Sequence, residues 1–104
     1  MNLTSIRAEH FPVFQEIAAE MDRARALRDA GKFVSTAEDM VAHLEDGERD
    51  AYDVLMEEVG EIATDRIEGA LVAKRREEWL QVAAVATAAL MGFDRRYPDL
   101  KSDG

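Results

Sequence analysis

Val82-Ala83-Ala84-Val85-Ala86-Thr87-Ala88-Ala89-Leu90-Met91-Gly92-Phe93 is apolar at almost every position, and its reading decides the fold. Wound as a helix, it has no polar side, and a helix that is apolar all round is covered on more than one side. Extended back to Trp79, the run is still shorter than the roughly 20 residues of a bilayer span, and Gln81 interrupts it. It therefore reads as the buried half of a helix in a folded domain. In a chain of 104 residues one partner helix cannot cover it. The run predicts a helix at the centre of a bundle that also packs against a second subunit. Ala83, Ala84, Ala86, Ala88 and Ala89 would permit close approach there.

Working outward, the same helix restarts near Ala70 to Ala73 after a break at Gly69 and continues to about Arg95, where Arg95-Arg96 complement its dipole. Before the break, Tyr52, Leu55, Met56, Val59, Ile62, Ala63 and Ile67 form one apolar stripe on a helix from about Glu48 to Glu68. Ser35-Thr36-Ala37-Glu38 reads as a capping box, with Ser35 as N-cap and Glu38 reaching back. It opens a short helix carrying Met40, Val41 and Leu44, ended by Asp46-Gly47. The first helix begins near His10 or Phe11 with Pro12 in its first turn, where a missing N–H does no harm. Phe14, Ile17, Ala18, Met21, Arg25 and Arg28 follow at helical spacing. The helix stops before Gly31, and residues 31–36 are a loop. Helix formers dominate between the only prolines, Pro12 and Pro98, and β-branched runs are absent. The chain is all-α: a helical hairpin plus an N-terminal helix, forming a four-helix bundle on dimerisation. One domain covers residues 1–97, and residues 98–104 read as a frayed tail.

Composition narrows the function classes. The apolar fraction is 47%, ordinary for a globular domain, and 34% of residues are charged. No internal repeat is evident. Cysteine is absent, which excludes disulfides and thiolate metal sites. His10 and His43 lack metal-site spacing. A net charge of −9 argues against binding a nucleic acid duplex. No basic segment followed by an apolar one marks a signal peptide, so no membrane association and a cytoplasmic location are expected.

Two acidic patterns carry the chemistry. Glu57-Glu58-Val59-Gly60-Glu61 lies on the third helix, and Glu77-Glu78-Trp79-Leu80-Gln81 on the fourth. Successive residues turn about 100° around a helix, so Glu58 lies about 60° from Leu55 and Glu61 about 60° further on. Asp65 falls between them in angle, one turn along. Glu57 points away from the stripe. If the two helices are antiparallel across Gly69, Glu58 and Glu61 face Glu78 and Gln81. A Glu pair three residues apart is common on solvated helix faces. Here, however, Glu58, Glu61 and Asp65 repel one another with no Lys or Arg among them. They also sit at the margin of a core face, where unneutralised charge is costly. A hard divalent cation resolves both conflicts, and Mg²⁺ held by carboxylates usually handles phosphates.

The pattern Glu57-Glu58-x-x-Glu61, a spacer, then Glu78-x-x-Gln81 resembles the all-α nucleotide pyrophosphohydrolases of the MazG-like family, whose signature is EExxE followed by ExxD. The likeness is to small phage-type and bacterial single-domain members. It rests on Val54 to Ala63, on Glu77 to Ala86, and on Glu16-Ile17-Ala18-Ala19-Glu20 with Arg23, Lys32 and Phe33. It covers most of residues 11–96.

The resemblance implies Mg²⁺-dependent cleavage of a nucleoside triphosphate to the monophosphate and pyrophosphate, with Mn²⁺ as an alternative ion, by a homodimer or a dimer of dimers. Glu58, Glu61, Glu78 and Gln81 would be the metal ligands. Glu57 or Glu61 would serve catalysis by orienting or deprotonating water, and Lys32, Lys74 and Arg75 would bind phosphate. Phe33 or Trp79 is a candidate for stacking on a base. Gln81 departs from the signature Asp, since a Gln carbonyl is a neutral, weaker ligand for Mg²⁺. The departure gives a second expectation: a non-catalytic helical module that binds nucleotide or a protein partner.

Overall fold

The structure is a computed structural model that describes residues 7–33 and 35–101. Four helices follow in order: α1 (Phe11–Asp29), α2 (Ala37–His43), α3 (Gly47–Ile67) and α4 (Val72–Arg96). Short 3-10 turns precede α1 at Ala8–His10 and follow α4 at Pro98–Lys101. Among the described residues there is no strand, and no helix is long and apolar enough to cross a membrane. The tail expected over residues 98–104 begins with that last turn, and residues 102–104 lie outside the described residues.

α4 is the centre: α1, α2 and α3 all pack on it. The small core gathers Met21, Ala37, Val41, Ala51, Ala84 and Ala88, with Val41 the most enclosed at 1% exposure. The alanines and glycines let α2 approach closely. Gly92 is buried, and a Cβ there would sit 2.6 Å from the backbone oxygen of Glu38 and 2.8 Å from Val41 Cβ. Gly92 is therefore a requirement of the α2–α4 crossing.

The cap of α2 lies one residue later than its sequence suggests. Thr36, not Ser35, is the N-cap: its Oγ1 accepts from Asp39 N at 3.2 Å, and Asp39 Oδ2 accepts from Thr36 N at 3.2 Å. The shift has a physical reason. It releases Glu38 to turn inward, where its carboxylate accepts from Arg25 on α1 at 2.7 Å and lies 2.6 Å from Arg95 on α4. Arg96 Nη1 also donates to Val41 O and Leu44 O, at 3.1 and 2.6 Å, so it covers the C-terminal carbonyls of α2. The two arginines thus tie helices together as well as complementing a dipole. Glu38 is 3% exposed, and removing it leaves two guanidinium groups competing for water. Glu38→Ala is expected to cost about 2 kcal/mol, read as a lower urea midpoint.

The single stripe expected on α3 divides into two faces. Ala51 and Asp65 are buried and Val54, Leu55, Glu58 and Ile62 half-buried, whereas Tyr52, Met56, Val59 and Ile67 are exposed, Ile67 at 79%. The first set faces α2 and α4. The second lies about 130° round and is exposed. On α4, Trp79 and Leu90 are exposed in the same way, Trp79 at 62%, while Ala84 and Ala88 are buried. One chain therefore covers only part of its apolar surface.

Candidate metal centre

The turn between α3 and α4 sets the site. Gly69 adopts φ 70°, the left-handed region that favours glycine. Its N–H bonds Arg66 O at 3.3 Å, and Ala70 N bonds Asp65 O at 2.8 Å, the paired bonds of a Schellman stop. The chain reverses there, and the second half of α3 packs beside the first half of α4.

Glu58 and Glu61 from α3 then meet Glu78 from α4. Each offers an oxygen, and these oxygens lie within 4.8 Å of one another. Glu61 disturbs the protonation of its two neighbours. A hydrogen bond with Glu61, helped by burial and by the charges of Glu61, Asp65 and Glu58, pushes the Glu78 carboxyl up to about 7. Burial raises Glu58 as well, and the charges of Glu61 and Glu57 add to it. Glu78 Oε2 is buried without a hydrogen-bond partner among the described residues, as is Asp65 Oδ2. Asp65 Oδ1 lies 3.5 Å from Lys74 Nζ.

A cleft of about 520 Å³ opens beside the carboxylates. Along α4 its lining passes from Lys74, Glu77, Glu78 and Gln81 to Ala84, Val85 and Ala88, about 20 Å of helix. α1 supplies Glu20, Met21, Arg23, Ala24 and Arg25 to the opposite wall, and Phe33, Thr36 and Met40 complete part of the apolar side.

The residues expected from sequence divide accordingly. Glu58, Glu61 and Glu78 converge, and Lys74 lines the cleft. Gln81 also lines the cleft, and its Nε2 donates to Glu20 Oε1 at 2.6 Å. Glu57 is exposed on α3 and lines no part of the cleft, although its charge reaches Glu58. Lys32 is exposed in the loop after α1, and Arg75 is half-buried with Nε unpartnered among the described residues; neither lines the cleft. Trp79 faces outward, whereas Phe33 lines the cleft.

The sequence reading gave no role to Glu20 and Arg23. On the first helix they form an ordinary i, i+3 ion pair, which usually signals a solvated face. Their place beside Ile17, Met21 and Ala24 was the available sign that this pair borders a buried side. No family model, curated protein or solved structure matches this chain.

Proposed function

We propose that this chain is a Mg²⁺-dependent nucleoside triphosphate pyrophosphohydrolase of MazG-like type, acting in the cytoplasm. The observation that carries the reading is the meeting of Glu58, Glu61 and Glu78 from two helices, with a proton held on Glu78 up to about 7. The donors fit the ion: three carboxylates are the hard oxygen ligands that Mg²⁺ and Mn²⁺ prefer, and the unpartnered Glu78 Oε2 lacks a neighbour that a cation would supply. Glu58, Glu61 and Glu78 would hold it. Bound there, it would supply charge neutralisation between the carboxylates and the substrate phosphates.

The chain's own groups do the rest. Glu61, which borders both the cluster and the cleft, orients the attacking water and takes its proton. Glu57 adds negative field at Glu58 from outside the cleft. Lys74, paired with Asp65, lines the carboxylate end of the cleft, and the Ala84, Val85 and Ala88 stretch gives a base an apolar bed. Pyrophosphate release from a panel of common and damaged triphosphates, with Mg²⁺ or Mn²⁺, tests this. Release from none of them overturns it.

One observation favours a second reading. The Gln81 amide is engaged with Glu20, which suits a module that binds nucleotide without cleaving it. Nucleotide binding by calorimetry with no pyrophosphate formed would select that reading.

The uncovered faces of α3 and α4 complete the proposal: a second copy packs on them to make the four-helix bundle, as a dimer or dimer of dimers. Tyr52, Met56, Val59 and Ile67 on α3, with Trp79 and Leu90 on α4, are the apolar residues that association would cover. Met56→Glu with Leu90→Glu is expected to yield monomers by light scattering. A monomeric parent protein at the same concentration would refute the dimer.

A further inference from the structure

We propose that Arg23 is the polyphosphate-binding cation of the cleft, and that Gln81 is a positioning residue that holds it there through Glu20. The inference rests on the pyrophosphohydrolase reading and adds how the substrate's phosphates are gripped.

A continuous set of hydrogen bonds links α4 to α1. Gln81 Nε2 donates to Glu20 Oε1 at 2.6 Å, and the same oxygen accepts from Arg23 Nε at 2.9 Å and from Arg23 Nη2. Glu20 keeps its charge: the Arg23 guanidinium holds its carboxyl below the usual range, and the Gln81 amide helps. All three residues line the cleft that Glu58, Glu61 and Glu78 also line.

The other basic groups near the cleft are committed elsewhere. Arg25 serves the buried Glu38 and Asp22, Lys74 pairs with Asp65, and both Nη atoms of Arg76 are taken by Glu16. Arg23 is different. Glu20 occupies one edge of its guanidinium, Nη1 has no partner among the described residues, and the side chain is 55% exposed. A guanidinium fixed along one edge presents the other ready to donate, which suits the planar demands of phosphate oxygens. The charge of Glu77 also reaches Arg23, and an untethered arginine would fold onto it. Glu20 prevents that.

This explains an amide at position 81. Gln81 must donate to Glu20, and an Asp in its place would set two anions against each other across the α1–α4 contact. The amide is then a feature of the substrate grip and not a weakened ligand.

The test uses inorganic tripolyphosphate with saturating Mg²⁺, titrated calorimetrically, beside Mn²⁺ binding followed by paramagnetic resonance. Arg23→Ala is expected to weaken tripolyphosphate binding about 30-fold, and Gln81→Leu about tenfold, while Mn²⁺ affinity does not fall in either. In the Arg23→Ala background, Gln81→Leu should add nothing, because its effect passes through Arg23. Unchanged tripolyphosphate affinity in Arg23→Ala overturns the proposal. So does a further tenfold loss in the double variant, or tighter Mn²⁺ binding by Gln81→Asp, which would make position 81 a ligand position. In each of these cases Mn²⁺ binding by the parent chain leaves the metal centre standing. A parent chain that binds neither probe overturns both readings.

Discussion

Glu61→Gln is expected to abolish pyrophosphate release, by about 10³-fold or more, while leaving the metal-free protein at least as stable as its parent. The two effects have opposite signs for one reason. Glu61 is the carboxylate that links the others: it raises Glu58 by its charge and Glu78 by its hydrogen bond. Without a cation, and with Glu78 ionised above about pH 7, those contacts are unfavourable, and an amide of the same shape would replace repulsion with a donated hydrogen bond to either neighbour. With a cation, the same change removes one of three anionic ligands and the group proposed to take the proton from water. A site that costs stability in the metal-free state and repays it in function is the usual meaning of a broken local rule. Pyrophosphate assays and thermal melts in chelator measure the two sides independently. A variant that loses activity and also melts well below its parent would make Glu61 a structural residue, and the metal centre would lose its main support.

Helical periodicity accounts for much of this arrangement. The four helices, the Gly69 reversal and the meeting of Glu58 and Glu61 with Glu78 all follow from spacing at about 100° per residue and from two glycine stops. Such regularities are local, and a local rule reads well from sequence. What failed depended on contacts between helices. Thr36 replaces Ser35 as the cap because Glu38 is wanted by Arg25 and Arg95, residues 13 and 57 positions away. α3 carries two faces because α2 is too short to cover the stripe, so Met56 and Ile67 stay outside while Ala51 goes in. The hydrogen bond from Gln81 to Glu20, 61 positions earlier, is likewise invisible from spacing on α4. In each case the deciding partner came from another helix, and no periodicity within one helix points to it.

Mg²⁺ affinity is expected to fall towards about tenfold for each pH unit well below 7, reaching about fiftyfold between pH 7 and pH 5. The group responsible is Glu78, whose carboxyl is pushed up to about 7 by its hydrogen bond with Glu61, by burial, and by the charges of Glu61, Asp65 and Glu58. Lys74, paired with Asp65, is the basic group facing this cluster in the ion pairs. A cation and a proton compete for Glu78, and below its pKa each unit of acidity multiplies the proton's advantage by ten. The metal-free protein should show the reverse slope. Its Glu78 binds a proton more tightly folded than unfolded, where the ordinary value of 4.5 applies. That contribution to stability is fully present below 4.5 and is lost as pH rises through about 7. Glu58, raised in the same direction, steepens the loss. On the acid side Glu20 and Glu16 act oppositely, since arginine partners lower both, and their contribution disappears as pH falls through their folded values. The chelated protein should therefore melt highest near mildly acidic pH, and the Mg²⁺-saturated protein should melt highest above pH 7. Melting series from pH 5 to pH 8 in chelator and in Mg²⁺ separate the two curves, and calorimetry near pH 6 should detect about one proton released per ion bound. Parallel curves would mean that the three carboxylates do not share a cation site, whatever their spacing.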